Sequence, residues 1–178
     1  MRKTVLVFLC ALFAAAGCST IDQNLNARKN LEKCTFEVAA LEFVKLNGKA
    51  SRPESIDLNA LLKVTNPNAS DVALDHVDAD ILIDGKKAAA VSHKNFVRIK
   101  AKSSVTEKAA VNIPFSAEWV TGKRPETVTI DGEVYLNIMI GDYTLPAPTA
   151  VKIKKTVPIP WDRIAKALVS GGLKMLFR

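Results

Sequence analysis

The densest group of side chains able to do chemistry runs from Asp75 to Asp84, where Asp75, His76, Asp78, Asp80 and Asp84 crowd into one stretch. Carboxylates in that number suit a hard divalent cation such as Ca²⁺, provided their oxygens converge. Asp78 and Asp80 are two residues apart and share one face of a strand. The spacing is not that of an ion-binding loop, and a hydrated strand face carries the same residues. The sequence therefore predicts no metal site. Nucleophilic chemistry has less support. Ser103, Ser104 and Ser116 lack a Gly-x-Ser-x-Gly setting, and two histidines give a Ser-His-Asp arrangement little to build on. His93, beside Lys94, reads as an exposed loop residue. No catalytic residue is assigned, and the chain reads as a protein that is not an enzyme.

The strongest chemical signal lies near residue 18. Arg2-Lys3 precede a short apolar run, Val5 to Ala16, which ends in small residues. That is the pattern of a secretory leader, and the run is shorter than the ~20 apolar residues a membrane span requires. Its end, Ala15-Ala16-Gly17-Cys18, resembles the lipobox of bacterial lipoproteins. The resemblance implies a diacylglycerol thioether on Cys18, cleavage between Gly17 and Cys18, and an acyl chain on the new amino group. Only a nucleophilic sulfur serves there, and two or more acyl chains make a stable anchor. In that family Ser19, in place of Asp, implies the outer membrane, with the protein facing the periplasm. The covalent lipid on Cys18 is the only non-protein group expected, with no cofactor. The expected partners are the membrane, through the anchor, and an envelope protein or lipid ligand.

The chain has 178 residues, with 25 Lys and Arg against 18 Asp and Glu, a net charge of +7. That balance suits anionic headgroups or lipopolysaccharide phosphates, although many soluble domains share it. Nucleic acid is excluded as a partner, since the protein is exported and shows no aromatic-basic interleaving. Cys10 leaves with the leader and Cys18 is acylated, so Cys34 has no disulfide partner. Its register with Phe36 and Val38 makes it a small core residue. The expected organisation is a leader over 1–17, a lipidated Cys and polar tether over 18–33, a sandwich domain over 34–160 and a helix over 161–178. A short helix over Leu25 to Leu31 is an open alternative within the tether.

From Cys34 onward the apolar period is two. Ile56, Leu58, Ala60, Leu62 and Val64 alternate with Asp57, Asn59, Lys63 and Thr65, which is a strand with one buried face. Asn66-Pro67-Asn68 stops it in a turn. Val77, Ala79, Ile81 and Ile83 form the next strand, and Asp84-Gly85 a tight turn that returns through Lys86 to Val91. Further strands are read at Val97–Ala101, Val105–Ile113, Val128–Ile140 and Val151–Ile159, with Gly132 a bulge or twist point. The step from Cys34-Phe36-Val38 to Leu41-Phe43 shifts phase and predicts a bulge near Ala39-Ala40. Seven or eight short strands with turns between them predict an all-β fold, an antiparallel fibronectin-III/Ig-like β-sandwich.

Leu58 to Asn68, ending in Asn66-Pro67-Asn68, followed by Val77 to Gly85 and by Thr156-Val-Pro-Ile-Pro160, resembles the type-2 late-embryogenesis-abundant (LEA) domain. This is also called the water-stress and hypersensitive-response (WHy) domain. The match covers roughly Phe36 to Pro160. It implies a fibronectin-III-like sandwich and an association with desiccation or osmotic stress, and it offers no catalytic residues. Asp71 to Asp75 departs from the family's more aromatic or proline-rich run, which puts the local loop in question.

Two basic faces and the tail complete the inventory. Arg98, Lys100 and Lys102 share one strand parity, as do Lys152 and Lys154, so a lipid-facing stripe forms if their strands are neighbours. A solubilising edge is the other reading. After Pro160 the period becomes helical: Trp161, Ile164, Ala165, Leu168 and Val169 recur on one side of a short C-terminal amphipathic helix, with Gly171-Gly172 interrupting it. That helix either covers the sandwich or, through Trp161, Ile164, Leu168 and Phe177, contacts a membrane or partner. The functional expectation is a membrane-anchored envelope lipoprotein with a non-catalytic binding or protective module. An accessory lipid- or protein-binding subunit of an envelope transport or maintenance system is the alternative.

Overall fold

The computed structural model describes residues 28–49, 52–121, 124–145 and 147–176. The expected leader, the cleavage site at Gly17, the lipidation site at Cys18 and Phe177 lie outside the described residues. Within them are eight strands: β1 (Thr35–Lys49), β2 (Arg52–Asn66), β3 (Val72–Ile83), β4 (Lys86–Ile99), β5 (Ser103–Pro114), β6 (Thr127–Ile140), β7 (Tyr143–Thr144) and β8 (Thr149–Pro158). Helix α1 (Glu118–Thr121) joins β5 to β6, and α2 (Trp161–Leu176) follows β8. One sheet runs β1-β2-β5. The other runs β4-β3-β6, with β8 and the short β7 both pairing β6. All these pairs are antiparallel.

The alternation of β2 decides the layering. Ile56, Leu58, Ala60, Leu62 and Val64 are all buried, and they share one core with Val77, Ala79 and Ile81 of β3 and Val128, Ile130, Val134 and Leu136 of β6. Each fully buried aliphatic side chain contributes ~1.5–3 kcal/mol, so inverting one strand's register would forfeit most of the core. The phase change in β1 is a register shift between Val38 and Ala40, as its sequence predicts. Asp84 and Gly85 have φ of 49° and 75°, the two positive values that a tight hairpin turn requires.

Four local expectations need correction. Lys86–Val91 and Val97–Ala101 are not two strands, because β4 runs unbroken from Lys86 to Ile99. Gly132 is not a bulge: it stays in register with Ala79 and Ile153. A side chain there would collide with the Asp78 carbonyl oxygen and with Ala79, so glycine permits a close backbone approach. Gly171-Gly172 does not interrupt the tail, since α2 passes through both. The tether does not extend to residue 33: residues 28–31 form a helical turn and Leu31 is 2% exposed, within the core.

Between the sheets, the described residues leave a void of about 20 Å³, lined by apolar side chains that include Ala60, Ala79 and Ala109. That is the volume of roughly one water with no polar partner, and it does not accommodate an acyl chain.

Candidate functional site

The outer face of the larger sheet carries most of the residues that the sequence marks for chemistry. Register places Asp80 opposite Asp131 and Asp78 opposite Glu133, so four carboxylates form a block across two strands. Like charges in direct cross-strand pairs are destabilising, and three of the four have a close partner. Lys87 Nζ lies 2.7 Å from Asp80 and Lys154 Nζ 2.8 Å from Asp131. The Tyr135 hydroxyl donates to Glu133 at 2.7 Å, and His76 Nε2 lies 3.6 Å from Asp78. Ala90, Ser92 and Gly132 keep the surface between them low, leaving an open groove of about 460 Å³.

His76 sits at one end of this block because β3 bulges between Leu74 and His76, which sends Asp75 to the same side. His76 Nδ1 is 2.6 Å from Asp75 Oδ2, and its ring stacks on Tyr135 with centroids 3.9 Å apart and planes at 12°. Asn137 donates from Nδ2 to Asp75 Oδ1 at 3.1 Å; it is 6% exposed, and its Oδ1 has no partner. The hydrogen bond to Glu133, partial burial and the charges of Glu133 and Asp78 raise the Tyr135 phenol above its ordinary pKa, so it remains a donor. Both imidazole nitrogens face carboxylates, which leaves neither turned to the groove as a base or ligand. Asp84 lies in the hairpin turn beyond the block. Asp75, His76, Asp78, Asp80 and Asp84 therefore do not converge, and among the described residues no three His, Cys, Asp or Glu side chains are arranged to hold a metal.

The most organised polar site is Asn66-Pro67-Asn68. The sequence reads it as a turn, but it is a lock. Asn66 is fully buried. Its Nδ2 donates to the carbonyls of Ser70, Ile99 and Lys100 at 2.9, 3.2 and 3.2 Å, and its Oδ1 accepts the Asn68 amide at 3.0 Å. Asn68 Nδ2 in turn donates to the Asn30 carbonyl at 2.8 Å and contacts Cys34 Sγ at 3.6 Å. One triplet thus joins the end of β2, the start of β3, the end of β4 and the segment entering from the N-terminal side. Burial pushes the Cys34 thiol up to about 11, with the Asn68 hydrogen bond acting in the opposite direction. Cys34 is the core residue its register predicts.

Two clusters join residues that the sequence reads separately, Arg98 as part of a basic face and Trp161 as part of the tail, to partners it does not single out. Asp71 accepts from the Ala101 amide at 2.8 Å and from Arg98 Nε at 2.7 Å, while Arg98 also reaches Asp142 at 2.8 Å and the Gly141 carbonyl at 3.2 Å. The stretch from Asp71 to Asp75 is thus the ordered start of β3. At the other end of the sandwich, Phe115, Trp119 and Trp161 meet edge to face at 5.4 and 5.8 Å, with the Arg124 guanidinium 5.7 Å over Trp161. Trp161 Nε1 donates to the Pro125 carbonyl.

The remaining predicted residues fall as follows. Ile164 is fully buried, and Trp161 and Leu168 pack on the same core, so this face of α2 covers the sandwich. The basic stripe does not form: Arg98 is paired with carboxylates, Lys100 and Lys102 lie beyond β4 with Lys102 at φ 57°, and β3 and β6 separate β4 from the Lys152–Lys154 strand. His93 points inward from β4, half-buried, with Nε2 unpartnered. Ser103 Oγ donates to the Lys100 carbonyl within a turn, Ser104 pairs Thr65 in the ladder, and Ser116 precedes α1.

No family model and no curated protein matches the chain. It is similar to solved structures. The structural-genomics target SoR45 aligns with a TM-score of 0.50 at 10% identity, over 71% of this chain and 87% of its own. A solution structure from Arabidopsis thaliana has a TM-score of 0.43 at 17% identity, over 70% and 79%. A presumed late embryogenesis abundant (LEA) protein has a TM-score of 0.33 at 11% identity, over 83% and 89%. The likeness to SoR45 is one of fold alone, an all-β sandwich.

Proposed function

We propose that this chain is a lipid-anchored lipoprotein of the outer membrane, facing the periplasm, whose LEA type-2-like sandwich acts as a non-catalytic protective module under desiccation or osmotic stress. The observation that carries the reading is the Asn66-Pro67-Asn68 lock. The triplet on which the LEA resemblance rests is the most densely hydrogen-bonded feature of the domain, and it holds the segment that arrives from Cys18. The anchor itself is supported by Ala15-Ala16-Gly17-Cys18. The outer face of the larger sheet presents mixed charge, with Lys87 paired to Asp80 and Lys154 to Asp131, and among the described residues no converging ligand set. A surface of that kind holds water and remains soluble when solutes concentrate.

The test is survival of drying by cells that carry the wild-type chain, Cys18→Ser, or neither, with palmitate labelling followed in parallel. Wild type should be labelled and should protect; Cys18→Ser should remain an unlabelled precursor and should not protect. Equal labelling of the two would remove the anchor. Survival that does not depend on the chain would remove the protective role and leave the anchor standing.

A further inference from the structure

We propose that the domain stands on the bilayer by the end that carries Asn66-Pro67-Asn68, and that the β6–β7 hairpin enters the anionic headgroup layer there through Ile140 and Tyr143. This rests on the anchor at Cys18. Ten residues, Cys18 to Ala27, separate the anchor from the docked turn at Arg28, a reach of at most ~35 Å. The docked turn is held to this end of the sandwich by Leu31 in the core and by Asn68 on the Asn30 carbonyl. The opposite end, with the Asp84-Gly85 turn, Trp119 and Trp161, is one strand length away, ~40 Å at about 3.3 Å per residue.

The hairpin is fixed beside this entry point. Arg98 ties Asp142 and the Gly141 carbonyl to Asp71, and the Met139 amide reaches the Asp71 carbonyl. The hairpin presents the most exposed large apolar side chain among the described residues, Tyr143 at 81%, beside Ile140 at 60%. An aliphatic side chain and an amphipathic ring at a loop tip suit a membrane interface, where one part is apolar and the other wet. The charge around them agrees. Arg28, Lys29, Lys33, Lys100 and Lys102 are exposed at this end against Glu32, and Arg98 offsets one of the two charges of Asp71 and Asp142, which leaves the end basic. Basic residues close to an anionic leaflet are attracted within a Debye length. The occupant is therefore the same bilayer that holds the Cys18 lipid.

The full acylated chain, reconstituted in phosphatidylglycerol/phosphatidylethanolamine vesicles brominated near the headgroups, tests the orientation. Trp119 and Trp161 report the far end, so wild-type emission should hardly respond to the bromines. Tyr143→Trp, at an exposed position that leaves the fold intact, should add a blue-shifted component quenched about two-fold, as expected for ~5–10 Å of interfacial depth. Lys33→Glu with Lys100→Glu should reduce that quenching. With palmitate on Cys18 shown in the same sample, an unquenched, water-like signal from the introduced indole overturns the orientation and leaves the anchor intact. Quenching of the native tryptophans instead would mean that the opposite end faces the bilayer. A Cys18 without lipid removes the anchor and the orientation together.

Discussion

The two ends of the sandwich are closed by opposite means. At one, Asn66, Asn68, Asp71 and Arg98 satisfy backbone carbonyls and amides of four segments through side-chain hydrogen bonds. At the other, Phe115, Trp119 and Trp161 stack edge to face under Arg124 and carry α2 onto the core. The polar closure is directional: Asn66 ties the Ser70 carbonyl, four residues on, to the Ile99 carbonyl of β4. Loss of one partner there is felt in a step, because each buried group it served is left unsatisfied. The aromatic closure is non-directional and spreads its energy over contact area, so it weakens by degrees. A tethered domain gains from having the directional lock at the end where the tether pulls.

Substitutions on the two sides should separate these behaviours. Asn66→Ala takes this partner from the buried Ile99 carbonyl, the Ser70 carbonyl and the Asn68 amide, while the Lys100 carbonyl keeps Ser103. At ~1–3 kcal/mol for each unsatisfied group, partly relieved by relaxation, the loss should be about 3–5 kcal/mol. Urea unfolding would read it as a shift in midpoint at unchanged slope. Trp161→Ala removes a half-buried indole, its contact with Trp119 and the hydrogen bond to Pro125. It should cost ~2–3 kcal/mol, below the range for a fully buried aromatic. If Trp161→Ala proves the more damaging, the aromatic end is the one that holds the fold.

This contrast also explains what can be read in the chain. The period-two runs in β2 and β3, the phase slip before Leu41 and the Asp84-Gly85 turn are local, and each is written in adjacent residues. Asn66-Pro67-Asn68 is visible as a motif but not as a lock, because its acceptors at Ile99 and Lys100 lie more than thirty residues away. In sequence Arg98 is one of three cations at alternate positions. Its pairing with Asp71 and Asp142 depends on β4 ending where it does. The aromatic end is hidden for the same reason, since nothing near Trp161 announces Trp119 or Pro125. Gly132 stands out within its strand, but the cause, the backbone of Asp78 and Ala79 pressing on it, belongs to the sheet. On the acidic face the residues are plain in the sequence, and only register shows Asp80, Asp131 and Glu133 already engaged.

The ends should also differ in their response to acid. Asp71 is held below the usual carboxylate range, chiefly by the Ala101 amide and next by Arg98. Its folded pKa lies under the unfolded value of about 3.9, so the folded state binds fewer protons. The stability it supplies is complete above that value and lost as pH falls through the folded pKa. Asp71→Asn should lower the melting temperature at pH 7 and flatten its decline below pH 4. Amide exchange at Ala101 and Met139 should accelerate in acid before that of residues around Trp161. Simultaneous loosening of both ends would mean that the hydrogen bonds of Asp71 do not control this closure.

The smallest effect is the most local. Asn68→Ala removes the bonds to the Asn30 carbonyl and Cys34 while leaving those of Asn66 to Ser70, Ile99 and Lys100, so the global cost should be only about 1 kcal/mol. The segment around residues 28–34 should open more often, because the core contact of Leu31 becomes its main hold. Cys34 reports this opening directly. In the native protein Cys34 is 4% exposed and its thiol pushed up to about 11, so a thiol reagent at pH 8 meets neither access nor thiolate. In Asn68→Ala the reaction should follow local opening and run faster than the fall in global stability accounts for. A rate that tracks global unfolding in both proteins would show that the entering segment is held by the core through Leu31 alone. The triplet would then close the strands without clamping the chain that leads to the anchor.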